Sequence, residues 1–206
     1  MGLTNLIIQY STMIIENIGY TGVFLLMILE SMIAPLPSEA VMPFAGFLIH
    51  EGKMTWAGVA FASTLGSLVG SLVSYYLGLF GGKPLILKFG KYLFLDVHHL
   101  ELTEKFFAKN GEIAVFISRF IPVVRHFISI PAGVGKMNIV KFITYTAIGA
   151  CGWNVFLTWV GYLMKENWEQ IHHYTKYGDI IVISVTLVFI FLFVKKSLDK
   201  RKLKAK

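Results

Sequence analysis

Residues 117–133 read ISRFIPVVRHFISIPAG, an apolar run that carries Arg119, Arg125 and His126 and is interrupted by Pro122 and Pro131. An arginine at the centre of a membrane helix costs roughly 2.5–3.5 kcal/mol on insertion scales. Two guanidinium groups beside a helix break, where backbone N–H groups are exposed, suit a phosphate, which arginine binds in bidentate fashion. A second apolar run, IGYTGVFLLMILESMIAPLPSEAVMPFAGFLI (18–49), carries acids instead: Glu30 and Glu39 flank its break at Pro35 and Pro37, and Pro43 follows. A carboxyl group in a low-dielectric site has its pKa raised, so Glu39 is a candidate proton carrier. An Arg–Glu pair that only pins the two runs together is the alternative. Both readings are compatible, because a phosphate competes with a carboxylate for the same guanidinium. Glu51, beside His50 and Lys53, is a third candidate acid, with a solvated loop position as its alternative.

Other residue types offer less. The doublets His98–His99 and His172–His173 resemble metal ligands, but adjacent residues point apart on a helix and no Cys or acid cluster accompanies them. Neither a metal nor a cofactor is expected. Trp153, Trp159 and Trp168 read as core and interface aromatics, and Lys136 and Lys141 as lysines reaching the headgroups. Cys151 is the single cysteine, which excludes an internal disulfide.

The elements that must position these groups are set by composition. Of 206 residues, 55% are hydrophobic and 15% charged, and mean hydropathy is +0.65. A soluble domain carries nearer a quarter charged residues, so the expectation is an all-α integral membrane protein forming one domain over 1–206. The net charge of +7 is not a nucleic-acid signal, because the tail KKSLDKRKLKAK (195–206) supplies +6 of it. A basic tail beside a span marks the cytoplasmic side and anionic headgroups. No basic stretch precedes a cleavable apolar core at the N-terminus, so no signal peptide is expected. Full spans are expected at 54–80, 142–163 and about 179–194, with an interfacial amphipathic helix at 3–15 and an amphipathic stretch within the polar region 83–112.

With the tail inside, the lysines place 83–112 inside and the loop 165–179 outside. Segment 113–135 then has both ends on one side, and so does 18–49, which opens to the other side. Both are expected to be re-entrant hairpins broken at Pro35, Pro37, Pro43, Gly46, Pro122, Pro131 and Gly133. They also look like copies. Ser31, Pro35, Ala45 and Gly46 correspond to Ser118, Pro122, Ala132 and Gly133 at one constant offset, and Gly66 and Gly78 correspond to Gly149 and Gly161 at another. This gives an inverted repeat, about 3–80 and 97–163, with broken helices meeting near the midplane as in transporters.

ESMIAPLPSEAVMPFAGFL and FISRFIPVVRHFISIPAG resemble motifs of the DedA family, also called the VTT or SNARE-associated Golgi protein family. The resemblance covers about residues 10–195. It implies facing re-entrant hairpins, movement of phospholipids between leaflets and a link to the proton-motive force. Bacterial members are implicated in recycling undecaprenyl phosphate and in flipping phosphatidylethanolamine. By resemblance the embedded acids fall on Glu39 and Glu51, where many relatives have Asp at the second, and the paired arginines on Arg119 and Arg125. The expected function is a bacterial plasma-membrane transporter, not an enzyme, that moves a phosphate-headgroup lipid, undecaprenyl phosphate first, for carrier recycling, with a polyprenyl phosphate or phospholipid as partner and a homo-oligomer as one possible assembly. Arg119 and Arg125 hold the phosphate, Glu39 gates, and the lipid tail trails along the glycine and serine face of 58–78. Phosphatidylethanolamine flipping or scrambling is the alternative. From other classes come a proton-coupled cation antiporter and a lipid phosphatase with His126 as its base.

Overall fold

The computed structural model describes residues 3–32, 38–93 and 97–164, and these are helical apart from short turns. Eight helices follow in order: α1 (Leu3–Ile18), α2 (Tyr20–Met32), α3 (Ser38–His50), α4 (Trp56–Leu93), α5 (Val97–Ser118), α6 (Pro122–Phe127), α7 (Ser129–Val134) and α8 (Ile139–Met164). The breaks at Pro35 and Pro37, the expected last span (179–194) and the basic tail lie outside the described residues.

Local chemistry sets the boundaries. Gly19 takes φ +57° between α1 and α2, a left-handed conformation that glycine adopts without a Cβ clash. Thr55 caps α4 by accepting the Gly58 N–H at 3.2 Å, and the Asn138 carboxamide caps α8 by accepting from Val140 at 3.0 Å and Lys141 at 3.2 Å. Pro122 opens α6 after Ile121 turns extended, as proline favours at a first helical position.

Several expected breaks are continuous helix. Pro43 and Gly46 lie inside α3, and Pro131 and Gly133 lie inside α7. The glycines serve close packing instead. A Cβ on Gly46 would collide with the Thr158 carbonyl of α8, and one on Gly133 with the Tyr75 carbonyl of α4. Pro43 abuts Gly161, and this tight crossing holds α3 together although the proline removes one helical N–H. The GGKP stretch does not end α4 either, since PLILKFGKYL keeps apolar residues at helical spacing and the helix runs to Leu93.

Among the described residues two helices, Trp56–Gly82 of α4 (27 residues) and α8 (26 residues), are long and apolar enough to cross a membrane. The arms α2 and α3 have 13 residues each. At the helical rise that is about 20 Å, short of the roughly 30 Å hydrocarbon core.

Contacts join the flanks of 18–49 and the flanks of 113–135. The Thr55 N–H donates to the Tyr20 hydroxyl at 2.9 Å, joining the start of α2 to the start of α4. Glu104 pairs with Lys136 at 2.8 Å and Glu112 with Lys141, joining the flanks of 113–135. Helix α2 runs parallel to α4. Gly66 abuts the Phe24 carbonyl, Gly70 abuts the Ile28 carbonyl, and the Ser74 hydroxyl donates to the Met32 carbonyl at 2.8 Å, so both chains advance in step.

Helix α3 packs on α8, and α7 packs on α4. Gly46 meets Thr158 and Tyr162 while Gly133 meets Tyr75 and Leu79; Gly161 meets Pro43 while Gly78 meets Ile130. The second member of each pair of contacts follows from the first by the same two offsets that relate the motifs in the sequence. Apolar cores lie on either side, one around Met27, Phe44 and Leu48 and one around Tyr75, Val115 and Phe142.

Candidate functional site

Arg119 sits in the turn that ends α5, its N–H still bonded to the Phe116 carbonyl at 3.2 Å. The turn directs its side chain inward, where it is 4% exposed. Nη1 donates to the Arg125 carbonyl at 3.4 Å, and Nη2 to the hydroxyls of Ser129 and Thr146, each at 3.2 Å. Gly149 leaves room on α8 for the arginine's stem. No carboxylate lies within ion-pair distance of Arg119 among the described residues.

Arg125, on α6, is 6% exposed. Its Nη2 is paired with the Glu30 carboxylate from the end of α2, and its guanidinium lies over the Trp153 ring, 5.7 Å from the centroid. Glu30 is 1% exposed and also accepts from the Ser31 hydroxyl at 2.8 Å. His126 Nδ1 stands 3.1 Å from the Glu30 backbone carbonyl; a carbonyl only accepts, so that nitrogen carries the proton. Together these contacts tie the end of α2 to α6.

The site therefore holds two guanidinium groups and one paired carboxylate. An unpaired ion costs several kcal/mol to bury, and the direct contacts of Arg119 are hydroxyl and carbonyl oxygens. Arg119 Nε and Arg125 Nη1 are buried without a hydrogen-bond partner among the described residues. The arrangement is suited to receive an anion with several oxygens.

The acids are distributed differently from expectation. Glu30, not Glu39, holds an arginine. Glu39 is half-buried, makes no ion pair among the described residues, and has Oε1 buried without a partner. Glu51 is exposed on the turn after α3, 3.9 Å from Lys53, and is not brought to the site. The glycine and serine face of 58–78 is closed, because Ser63, Ser67, Ser71 and Ser74 are buried and Gly66 and Gly70 are filled by α2. The open apolar side of α4 is another one, a groove of about 500 Å³ lined by Val69, Val73, Tyr76, Leu77 and Phe80. No group of three His, Cys, Asp or Glu residues comes together among the described residues.

Ser129, Thr146 and Trp153 were not anticipated. Thr146, Gly149 and Trp153 recur at i, i+3 and i+7, one face of α8, and that spacing was the available signal.

A family model described as the VTT domain matches residues 36–163, more than half of the chain. The chain is 32% identical over 184 residues to "Undecaprenyl phosphate transporter A" of Bacillus subtilis, covering 88% of this chain and 91% of that protein. It is 31% identical to the Staphylococcus aureus protein of the same name, over 91% and 97% of the two chains. It is also 34% identical to an "Alkaline phosphatase-like protein" of Lactococcus lactis subsp. lactis, over 89% and 90%. No solved structure matches.

Proposed function

We propose, for a chain that belongs to the VTT-domain (DedA) family, that it carries a lipid with a phosphate headgroup across the bacterial plasma membrane, and that the lipid is undecaprenyl phosphate. One observation carries this reading: Arg119 and Arg125 are buried together with a single paired carboxylate, so the site has a cation and N–H donors to spare. The names of the Bacillus and Staphylococcus relatives support the choice of lipid.

The mechanism follows from the contacts. In the empty site Glu30 occupies Arg125. An entering phosphate is taken first by Arg119, which has no carboxylate to give up, and then displaces Glu30 from Arg125. Once Arg125 turns to the phosphate, the pairing between hairpin tips is released and the thin barrier there opens toward the other leaflet. Departure of the phosphate returns Arg125 to Glu30. Segments 18–49 and 113–135 act as re-entrant hairpins opening to opposite sides; their joined flanks and the duplicated glycine crossings support an inverted repeat. The lysine-rich tail sets the C-terminus in the cytoplasm.

The test is lipid selectivity in liposomes holding the purified protein. Undecaprenyl phosphate should change leaflet faster than in empty liposomes, while undecaprenol, lacking the phosphate, should show no acceleration. Acceleration of phosphatidylethanolamine alone would replace the proposed lipid. Equal acceleration of the phosphate and the alcohol would contradict a site built on phosphate.

A further inference from the structure

The geometry points to Trp153 as a third direct ligand of the phosphate, donating its indole N–H between the two arginines. The inference rests on the proposed phosphate-lipid reading and deepens it by adding a residue that recognises the phosphate itself.

Three buried nitrogen atoms lack a hydrogen-bond partner among the described residues: Arg119 Nε, Arg125 Nη1 and Trp153 Nε1. All three are donors, and all three belong to one constellation. Arg125 lies over the Trp153 ring, Arg119 donates to the Arg125 carbonyl, and the Arg119 stem rests on Gly149, one helical turn before Trp153 on the same face of α8. A buried donor left unpaired is destabilising, and one ligand with several acceptor oxygens relieves all three.

The ring is held for that task. Phe120 meets it edge-on with centroids 6.4 Å apart, and Phe156 packs beside it at 5.8 Å. Tryptophan combines a face that supports the guanidinium with an edge that donates and never accepts. A carboxylate or a phosphate therefore satisfies it, and an ammonium headgroup does not. Glu30 is engaged by Arg125 and Ser31 in the empty site, and the phosphate that the proposed function brings between the arginines is the acceptor assigned to the indole.

The experiment uses the full-length protein in lipid nanodiscs with ¹⁵N-labelled tryptophan. The Trp153 indole resonance is assigned from its loss in Trp153→Phe. Undecaprenyl phosphate should move this N–H resonance, and undecaprenol should not. Replacing Trp153 by benzothienylalanine keeps the ring shape and the guanidinium contact but removes the N–H. It should weaken binding of undecaprenyl phosphate roughly tenfold or more, as expected for a hydrogen bond to a charged group, while the thermal midpoint of the empty protein is not lowered, since an unpaired donor is removed. An unmoved resonance, or full affinity in the isostere, while Arg119→Ala still abolishes binding, would overturn the role of Trp153 and leave the arginine reading standing. Full affinity in Arg119→Ala and Arg125→Ala as well would remove both.

Discussion

Replacing Glu30 by glutamine separates the two jobs assigned to its carboxylate. The side chain is 1% exposed and pairs with an arginine that is 6% exposed, so nearly all of the interaction is sheltered from water. Removing one partner of a buried pair costs about 3–5 kcal/mol, because the other charge is left uncompensated. Glutamine retains an oxygen for Arg125 and space for Ser31, so the loss should fall near the lower end, about 3 kcal/mol. The same change removes the phosphate's competitor. Affinity for undecaprenyl phosphate should rise about tenfold or more, the worth of a charge-assisted hydrogen bond no longer displaced. The assay is thermal unfolding in detergent with and without that lipid. Glu30→Gln should melt below wild type when empty and gain more than wild type from the lipid, while its transport slows because Arg125 no longer returns to a carboxylate. The double variant Glu30→Gln/Arg125→Gln should be less destabilised than the sum of the singles, as expected for contacting residues. An empty Glu30→Gln protein as stable as wild type, with unchanged lipid affinity, would refute this reasoning.

Other contacts make further predictions. Arg119→Lys should keep the fold but lose most lipid binding, because one ammonium cannot reach the Arg125 carbonyl, Ser129 and Thr146 and still present a fork to phosphate; binding isotherms beside thermal midpoints check this. Gly133→Leu and Gly46→Leu should each destabilise by about 1–3 kcal/mol or more through overpacking, since a Cβ at either meets backbone, whereas Gly81→Ala, with nothing within 4 Å, should melt like wild type. Asn138→Ala should cost about 1 kcal/mol through the lost α8 cap, read as a lower thermal midpoint with lipid affinity unchanged. Glu51→Gln should transport at the wild-type rate in liposomes, because its carboxylate is exposed beside Lys53.

Much of this molecule was legible in its sequence because bilayer constraints are strong. Arginines and prolines in an apolar run need a sheltered, irregular backbone, and Arg119, Pro122 and Arg125 form one. Small residues at regular spacing mark close helix contact, and Gly66 and Gly70 make it with α2. Proline and glycine were poorer guides to where helices stop. Pro43, Gly46, Pro131 and Gly133 stay helical because their packing partners hold them, and a packing partner cannot be read from local propensity. Pairing of acids was less legible still. Glu30 and Glu39 are both apolar-flanked acids, and which one reaches an arginine depends on how α2 meets α6. Trp153 fits a core aromatic equally well until its unpaired N–H is placed beside two guanidinium groups.

The most direct test of the central claim compares three proteins in the same liposomes at matched insertion: wild type, Arg119→Ala and Arg125→Ala. The quantity measured is the rate at which undecaprenyl phosphate headgroups in the inner leaflet become accessible from outside. The account predicts rapid movement in wild type and collapse to the rate of empty liposomes in both variants. Movement that persists in both arginine variants would contradict it.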